Sequence, residues 1–123
     1  MSKSKRARFH LKSGETILKK GMMDYCAAGG YAHAVQGDAV LTDTRFHFYA
    51  QLTTGEIYTV EIPLSEIYGV EKIGVPFFTR SLCIATDRGN YRFNAFFVGR
   101  WCKPVRVAAE KARAVKAEHT DGK

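Results

Sequence analysis

Disulfides, metal knuckles and membrane spans have no basis in this chain. Its 123 residues hold three cysteines, Cys26, Cys83 and Cys102, odd in number, widely spaced and without a C-x-x-C pair. A disulfide framework needs paired thiols, so these read as reduced, mostly buried structural thiols of a cytosolic protein. His10, His33, His47 and His119 keep no ligand spacing with one another or with a cysteine. Structural zinc needs four ligands within tetrahedral reach, which that scatter does not offer. No apolar run approaches the ~20 residues of a membrane span. An apolar signal-peptide core is also missing from the N-terminus. Ser65 and Ser81 lack the flanking glycines of a nucleophile elbow. The stretch AAGGYA has the glycines of a phosphate loop without its Lys-Ser/Thr, so it reads as a bulge or turn. These absences predict a binding domain and not an enzyme, with no cofactor, no metal and no small-molecule substrate. Its expected place is the cytoplasm, with peripheral membrane contact as an option.

Acid is missing from the first twelve residues. Lys3, Lys5, Arg6, Arg8 and Lys12 give that segment +5, and residues 100–123 carry +4, while the body between them comes to −2. A basic chain of net charge +7 thus carries its charge at its ends. Residues 1–12 read as a flexible basic arm, either solubilising or attracted to the phosphates of nucleic acid or anionic lipid. One domain is expected from the length: residues 13–117, followed by a disordered tail, 118–123.

What is present is alternation. In AVLTDTRFHFYAQ (39–51), Ala39–Thr42 and Arg45–Gln51 read as antiparallel strands with Asp43 and Thr44 at the turn. Phe46, Phe48 and Ala50 then face one way, and His47 and Tyr49 the other. EIYTVEI puts Tyr58, Val60 and Ile62 on one face, and PLSEI turns from Pro63 into YGVEKI. SLCIAT groups Leu82, Ile84 and Thr86, with Cys83 facing away. DRGN is a tight turn with Gly89 at positive φ, and YRFNA returns with Tyr91, Phe93 and Ala95 inward. Upstream, GETILKKG offers a short strand, and a second strand is expected near Met22–Ala27 before a bulge at Gly29-Gly30. Short strands with regular turns argue for a sandwich or barrel. After Phe97 the period changes. Trp101, Val105, Ala108, Ala112 and Val115 fall on one face of a helix over about 100–117, with Pro104 in its first turn. About seven strands and one terminal helix make a mostly β fold in which the helix plugs an open end.

Four of these stretches, in order, resemble the GRAM branch of the pleckstrin-homology (PH-like) superfold. GETIL is similar to its opening strand, and GDAVLTDTRFHFYA to its Leu-Thr-x-x-Arg hairpin. VEIPLSEIYGVEKI is similar to its Ile-Pro-Leu stretch, and LCIATDRGNYRFNAF to its final hairpin. The resemblance implies a bent β-sandwich closed by a C-terminal helix. It also implies a binding module for membranes, lipids or protein partners. Lipid-binding PH domains usually carry several bases on the first two strands and their loop; here only Lys19 and Lys20 stand there.

The surface candidate is GVPFFTRS (74–81). Paired phenylalanines cannot both point inward along one extended strand. Phe77 and Phe78 either fold back over a core edge or contact a partner, a second copy or a lipid surface, with Arg80 beside them suited to phosphate or carboxylate. Protein–protein or self-association through Phe77–Arg80 is the leading expectation. Peripheral binding to anionic membranes is the alternative, with Lys3, Lys5, Arg6, Arg8, Lys12, Lys19 and Lys20 as anion contacts. Nonspecific nucleic-acid binding comes third, since no stacking or groove-entry motif is present.

Overall fold

The computed structural model describes residues 9–26, 34–52, 54–73, 81–95 and 98–121. Seven strands stand among them: β1 (Ile17–Cys26), β2 (Ala34–Thr42), β3 (Arg45–Gln51), β4 (Ile57–Pro63), β5 (Ile67–Ile73), β6 (Ser81–Thr86) and β7 (Gly89–Asn94). A 3-10 turn, Leu64–Glu66, joins β4 to β5, and a helix, α1 (Gly99–Asp121), closes the chain. The strands pair antiparallel in the order β4-β3-β2-β1-β7-β6-β5.

The alternating residues explain both the strands and the core. Phe46, Phe48, Ile62, Leu82, Ile84 and Phe93 are almost wholly buried, each on the face its spacing predicted. Rings meet edge-on or tilted across that core, with Phe46 to Phe93 at 5.2 Å and Phe48 to Phe93 at 5.6 Å between centroids. Each two-residue turn is closed by a threonine. Thr42 Oγ1 accepts the N–H groups of Thr44 and Arg45 at 3.1 and 3.0 Å. Thr86 Oγ1 accepts the Arg88 N–H at 3.1 Å and donates to the Gly89 carbonyl, where φ is 134°.

The sheet folds back on itself at β1. Over most of its length β1 pairs with β2, but it meets β7 only at Asp24–Asn94 and Tyr25–Phe93. The first half of β1 therefore diverges from β7, and α1 fills the gap. Trp101 is the plug. Its ring packs edge-on against Phe46 at 5.9 Å and lies against Gly21, where a methyl group would stand only 2.9 Å from Cζ2. The helix then runs antiparallel along β5, the edge strand. Arg106 Nη2 donates to the Val70 carbonyl at 3.0 Å and Arg113 Nη1 to the Ile67 carbonyl at 3.4 Å. Two guanidinium groups thus close backbone acceptors that an edge strand would otherwise present to another chain.

Some sequence expectations change. The two separate early strands are one, Ile17–Cys26, because Gly21 serves the approach of Trp101 and does not break the ladder. Pro104 is the sixth helical residue, inside α1 rather than in its first turn. Val115 is 54% exposed, since α1 extends past the body; Cys102 and Ala109 are buried in its place. Cys26 and Cys102 are buried, but Cys83 is only half-buried. The expected bulge at Gly29-Gly30 lies outside the described residues.

Truncating the plug tests this arrangement. Trp101→Ala should cost about 3–5 kcal/mol in urea melts, the range for deleting a buried aromatic ring. A loss under about 1 kcal/mol would place Trp101 outside the core.

Candidate binding surface

The most concentrated polar chemistry surrounds a buried carboxylate. Glu15 precedes β1 and is 7% exposed. Arg45, the first residue of β3, grips it in a two-point contact, Nε to Oε2 at 2.8 Å and Nη2 to Oε1 at 3.0 Å. Thr42 and Thr44 donate hydroxyls to Oε2 at 2.6 and 2.8 Å, and the Lys12 N–H donates to Oε1 at 2.8 Å. Arg45 also reaches the His10 carbonyl at 2.7 Å and Glu61 at 3.0 Å, and its guanidinium lies 4.6 Å from the Phe9 ring centre. Across the turn, the Thr16 N–H donates to Asp43 Oδ1, and the Asp43 N–H donates to the Thr16 carbonyl. The segment before β1 is thereby tied to the β2–β3 hairpin.

These contacts explain the ionisation of the group. The Arg45 hydrogen bonds hold the Glu15 carboxyl well below the usual carboxylate range against the opposing cost of burial, with Thr42, the Lys12 amide and Thr44 adding to the shift. His47 lies under Phe9, their ring centres 5.2 Å apart. Its Nδ1 is 3.4 Å from Glu61 Oε1, without hydrogen-bond geometry, and neither ring nitrogen finds a partner among the described residues. Burial first, then the Arg45 charge, pushes its pKa down against the pull of Glu61. The cluster is a structural clasp, and His47 in it is neutral near pH 7.

The surface chemistry lies where α1 begins. Lys19 Nζ stands over the Trp101 ring at 5.2 Å. Lys72, at the end of β5, reaches the first helical residue; a methyl group at Gly99 would stand 3.6 Å from its Nζ. Arg100 and Lys103 follow on the helix, both exposed, and its first turn contains no acid. Lys19 and Lys72 thus each approach the opening turn of the helix, at Trp101 and at Gly99, where the peptide dipoles add partial positive charge. Next to Lys72, Ile73 is 43% exposed.

A concavity of about 600 Å³ lies over β5–β7 and is lined by Cys26, Tyr68, Cys83, Ala85, Tyr91 and Arg92 among others. Burial raises the thiol pKa of both Cys26 and Cys83, although Arg92 opposes it. The thiols are held in their unreactive protonated form.

The sequence-marked contacts fall unevenly on this geometry. Phe77, Phe78 and Arg80 lie outside the described residues, as do Lys3, Lys5, Arg6 and Arg8. Lys12 is on the clasp side, 3.6 Å from Glu61, and not at the helix start. Lys19 belongs to the basic corner, and Lys20, its neighbour on β1, is exposed. Sequence reasoning missed Lys72, Arg100 and Lys103 as one group, because only the antiparallel run of α1 along β5 unites them. It also missed the Glu15–Arg45 pair, although Glu15 stands in GETIL and Arg45 in the Leu-Thr-x-x-Arg hairpin.

No family model matches the chain, and no curated protein matches it in sequence. Solved structures do match. The Vps36 N-terminal PH domain is similar at a TM-score of 0.68 and 12% identity, over 83% of this chain and 84% of that one. The C-terminal domain of an unknown protein from Leishmania infantum matches at 0.59 and 15% identity, over 83% and 87%. A DH/PH fragment of PDZRHOGEF, in a structure with human RhoA, matches at 0.60 and 8% identity, over 80% of this chain and 30% of that one.

The clasp predicts a pH dependence. Glu15, His47 and also Glu61, whose carboxyl, against the cost of burial, Arg45 helps hold below its usual range, favour the folded state above their unfolded pKa values, about 4.3 for Glu and 6.5 for His. Stability should therefore fall as pH drops below about 6.5 through His47, and fall further below about 4.3 through Glu15 and Glu61. Urea melts across pH 8 to 2 should show both steps, and His47→Gln should remove the upper one. An unchanged midpoint from pH 7 to 5 in the parent chain would contradict a buried neutral His47. Arg45→Ala should cost about 3–5 kcal/mol at pH 7 by stranding the Glu15 charge.

Proposed function

We propose that this chain, a mostly β domain of PH-like fold, is a non-catalytic binding module that docks on anionic membrane surfaces. The observation that carries the reading is the approach of Lys19 to Trp101 and of Lys72 to Gly99, in the opening turn that also bears Arg100, with Lys103 following it on the exposed helix. Four bases in or beside the first two turns of a helix favour a polyanion, and each base near an anionic bilayer contributes about 1 kcal/mol. The chain's wider charge supports the same direction. Lys3, Lys5, Arg6 and Arg8 lead into Phe9, and Lys72-Ile73 leads into the segment bearing Phe77, Phe78 and Arg80. On this reading the arm adds attraction at a distance, and the phenylalanines add apolar contact.

A protein partner or a second copy is the other reading. The concavity over β5–β7 favours it, with Tyr68 61% exposed at its rim. One similar PH-bearing fragment is also found in a structure with RhoA. If this face mediates self-association, light scattering should report a dimer that Tyr68→Ser weakens.

The membrane reading is tested by co-sedimentation with phosphatidylcholine vesicles, with and without phosphatidylserine. The intact chain should bind only the anionic vesicles, and less as salt rises. The triple change Lys72→Gln, Arg100→Gln and Lys103→Gln should cost about 3 kcal/mol of binding at ~1 kcal/mol per base, roughly a hundredfold in affinity. Failure of the intact chain to bind anionic vesicles at low salt would end this reading. Equal binding to duplex DNA, unaffected by Phe77→Ser and Phe78→Ser, would move the assignment to nucleic acid.

A further inference from the structure

The ladder between β1 and β2 contains an irregularity at its start. Ile17 faces Thr42 and Lys19 faces Leu41, so Leu18 is an extra residue with no partner across the pair. A bulge of this kind turns side chains out of the regular alternation. Ile17 is 38% exposed and Leu18 51% exposed, although both are aliphatics in a strand. This half of β1 also has no ladder contact with β7, whose pairing with β1 is confined to Asp24 and Tyr25. The bulge stands at the open corner plugged by Trp101, directly before Lys19 and Lys20. It is held in place by the Glu15 clasp two residues upstream.

We propose that the β1 bulge is the element that enters an anionic bilayer. Ile17 and Leu18 pass into the boundary between headgroups and acyl chains, while Lys19 and Lys20 remain at the level of the phosphates. The assignment rests on the membrane docking proposed above and names the residues that do it. Two arguments choose lipid over protein. Two part-exposed aliphatic side chains fall far short of the roughly 800 Å² per partner that a stable protein interface buries. A bilayer, in contrast, rewards a small apolar insertion when bases beside it meet anionic headgroups. The charge complement is present here, in Lys19 and Lys20 on the strand itself and in Arg100 and Lys103 on the helix that begins against it.

Two variants test the assignment on phosphatidylcholine–phosphatidylserine vesicles. The double change Ile17→Ser and Leu18→Ser should leave the melting midpoint nearly unchanged, because neither side chain is in the core. It should weaken vesicle binding about tenfold and leave the salt dependence as it was, since no charge is altered. Leu18→Trp supplies the second readout. The chain's single tryptophan, Trp101, is 5% exposed. Acyl chains brominated near the headgroup should therefore quench the introduced indole and spare Trp101. An introduced indole that is neither blue-shifted nor quenched on bound protein overturns the insertion and leaves the docking function standing. Undiminished binding by a folded double variant overturns it as well. If the parent chain binds no anionic vesicle at low salt, both readings fall. If light scattering shows a dimer that the double change dissolves, the bulge is an interface between copies and not a lipid contact.

Discussion

Glu15 and Arg45 form an ion pair taken almost wholly out of water, and the geometry around it depends on that pair. Burying two charges is expensive, and their mutual attraction offsets the cost only when their remaining hydrogen-bond capacity is filled. Here it is. The carboxylate receives the guanidinium, two hydroxyls and one backbone N–H. The guanidinium is shared among Glu15, Glu61 and the His10 carbonyl. Those partners come from the segment before β1, the end of β2, its turn, the start of β3 and β4. One cluster therefore fixes where the chain enters the sheet, how the β2–β3 hairpin turns and where Phe9 lies. An apolar pair of equal volume could fill the space, but it would not impose one register on five segments.

That specification passes directly into β1. The clasp anchors Glu15 and Thr16, the bulge follows at once, and Lys19 comes next at the Trp101 ring. A strand anchored at its start and unpaired with β7 over its first half must be supported by something else. The helix supplies the support through Trp101, and Gly21 leaves room for the ring. The basic corner is a by-product of this packing. The helix that plugs the gap carries Arg100 and Lys103 in its opening turns, and its run along β5 brings Lys72 to its first residue. Exposed charge and exposed apolar side chains are thus collected at one place by a requirement of the fold.

Local patterns made much of this fold legible. Period-two alternation picked out the buried faces of β3, β4, β6 and β7, because each strand has one face in the core and spacing is all that this requires. The turns at Asp43-Thr44 and before Gly89 were legible for a similar reason, since their chemistry is confined to four residues. Features that depend on distant partners were not. His47 was read correctly as facing away from Phe46 and Phe48, yet it is buried, because Phe9 lies over that outer face. The strands expected at GETILKKG and near Met22–Ala27 are one, because Gly21 between them is a point of close approach. Val115 fits the helical period but lies beyond the body that the helix covers. The basic corner joins residues more than fifty positions apart, and no window of sequence displays it.

The β5 edge of the sheet is closed from within, and this bears on what such a domain can bind. The β5 edge is occupied internally, with carbonyls of Val70 and Ile67 taken by Arg106 and Arg113. A peptide seeking to extend the sheet there would have to displace two charge-assisted hydrogen bonds and part of the helix packing. Recognition by strand addition at β5 is therefore disfavoured by construction. The proposed docking uses side chains instead: ammonium and guanidinium groups at the helix start, and aliphatics at the bulge. Side chains of those two kinds suit a partner that is extended, anionic at its surface and apolar just beneath. A bilayer has that profile in every direction, so a small corner suffices without a deep, shaped pocket.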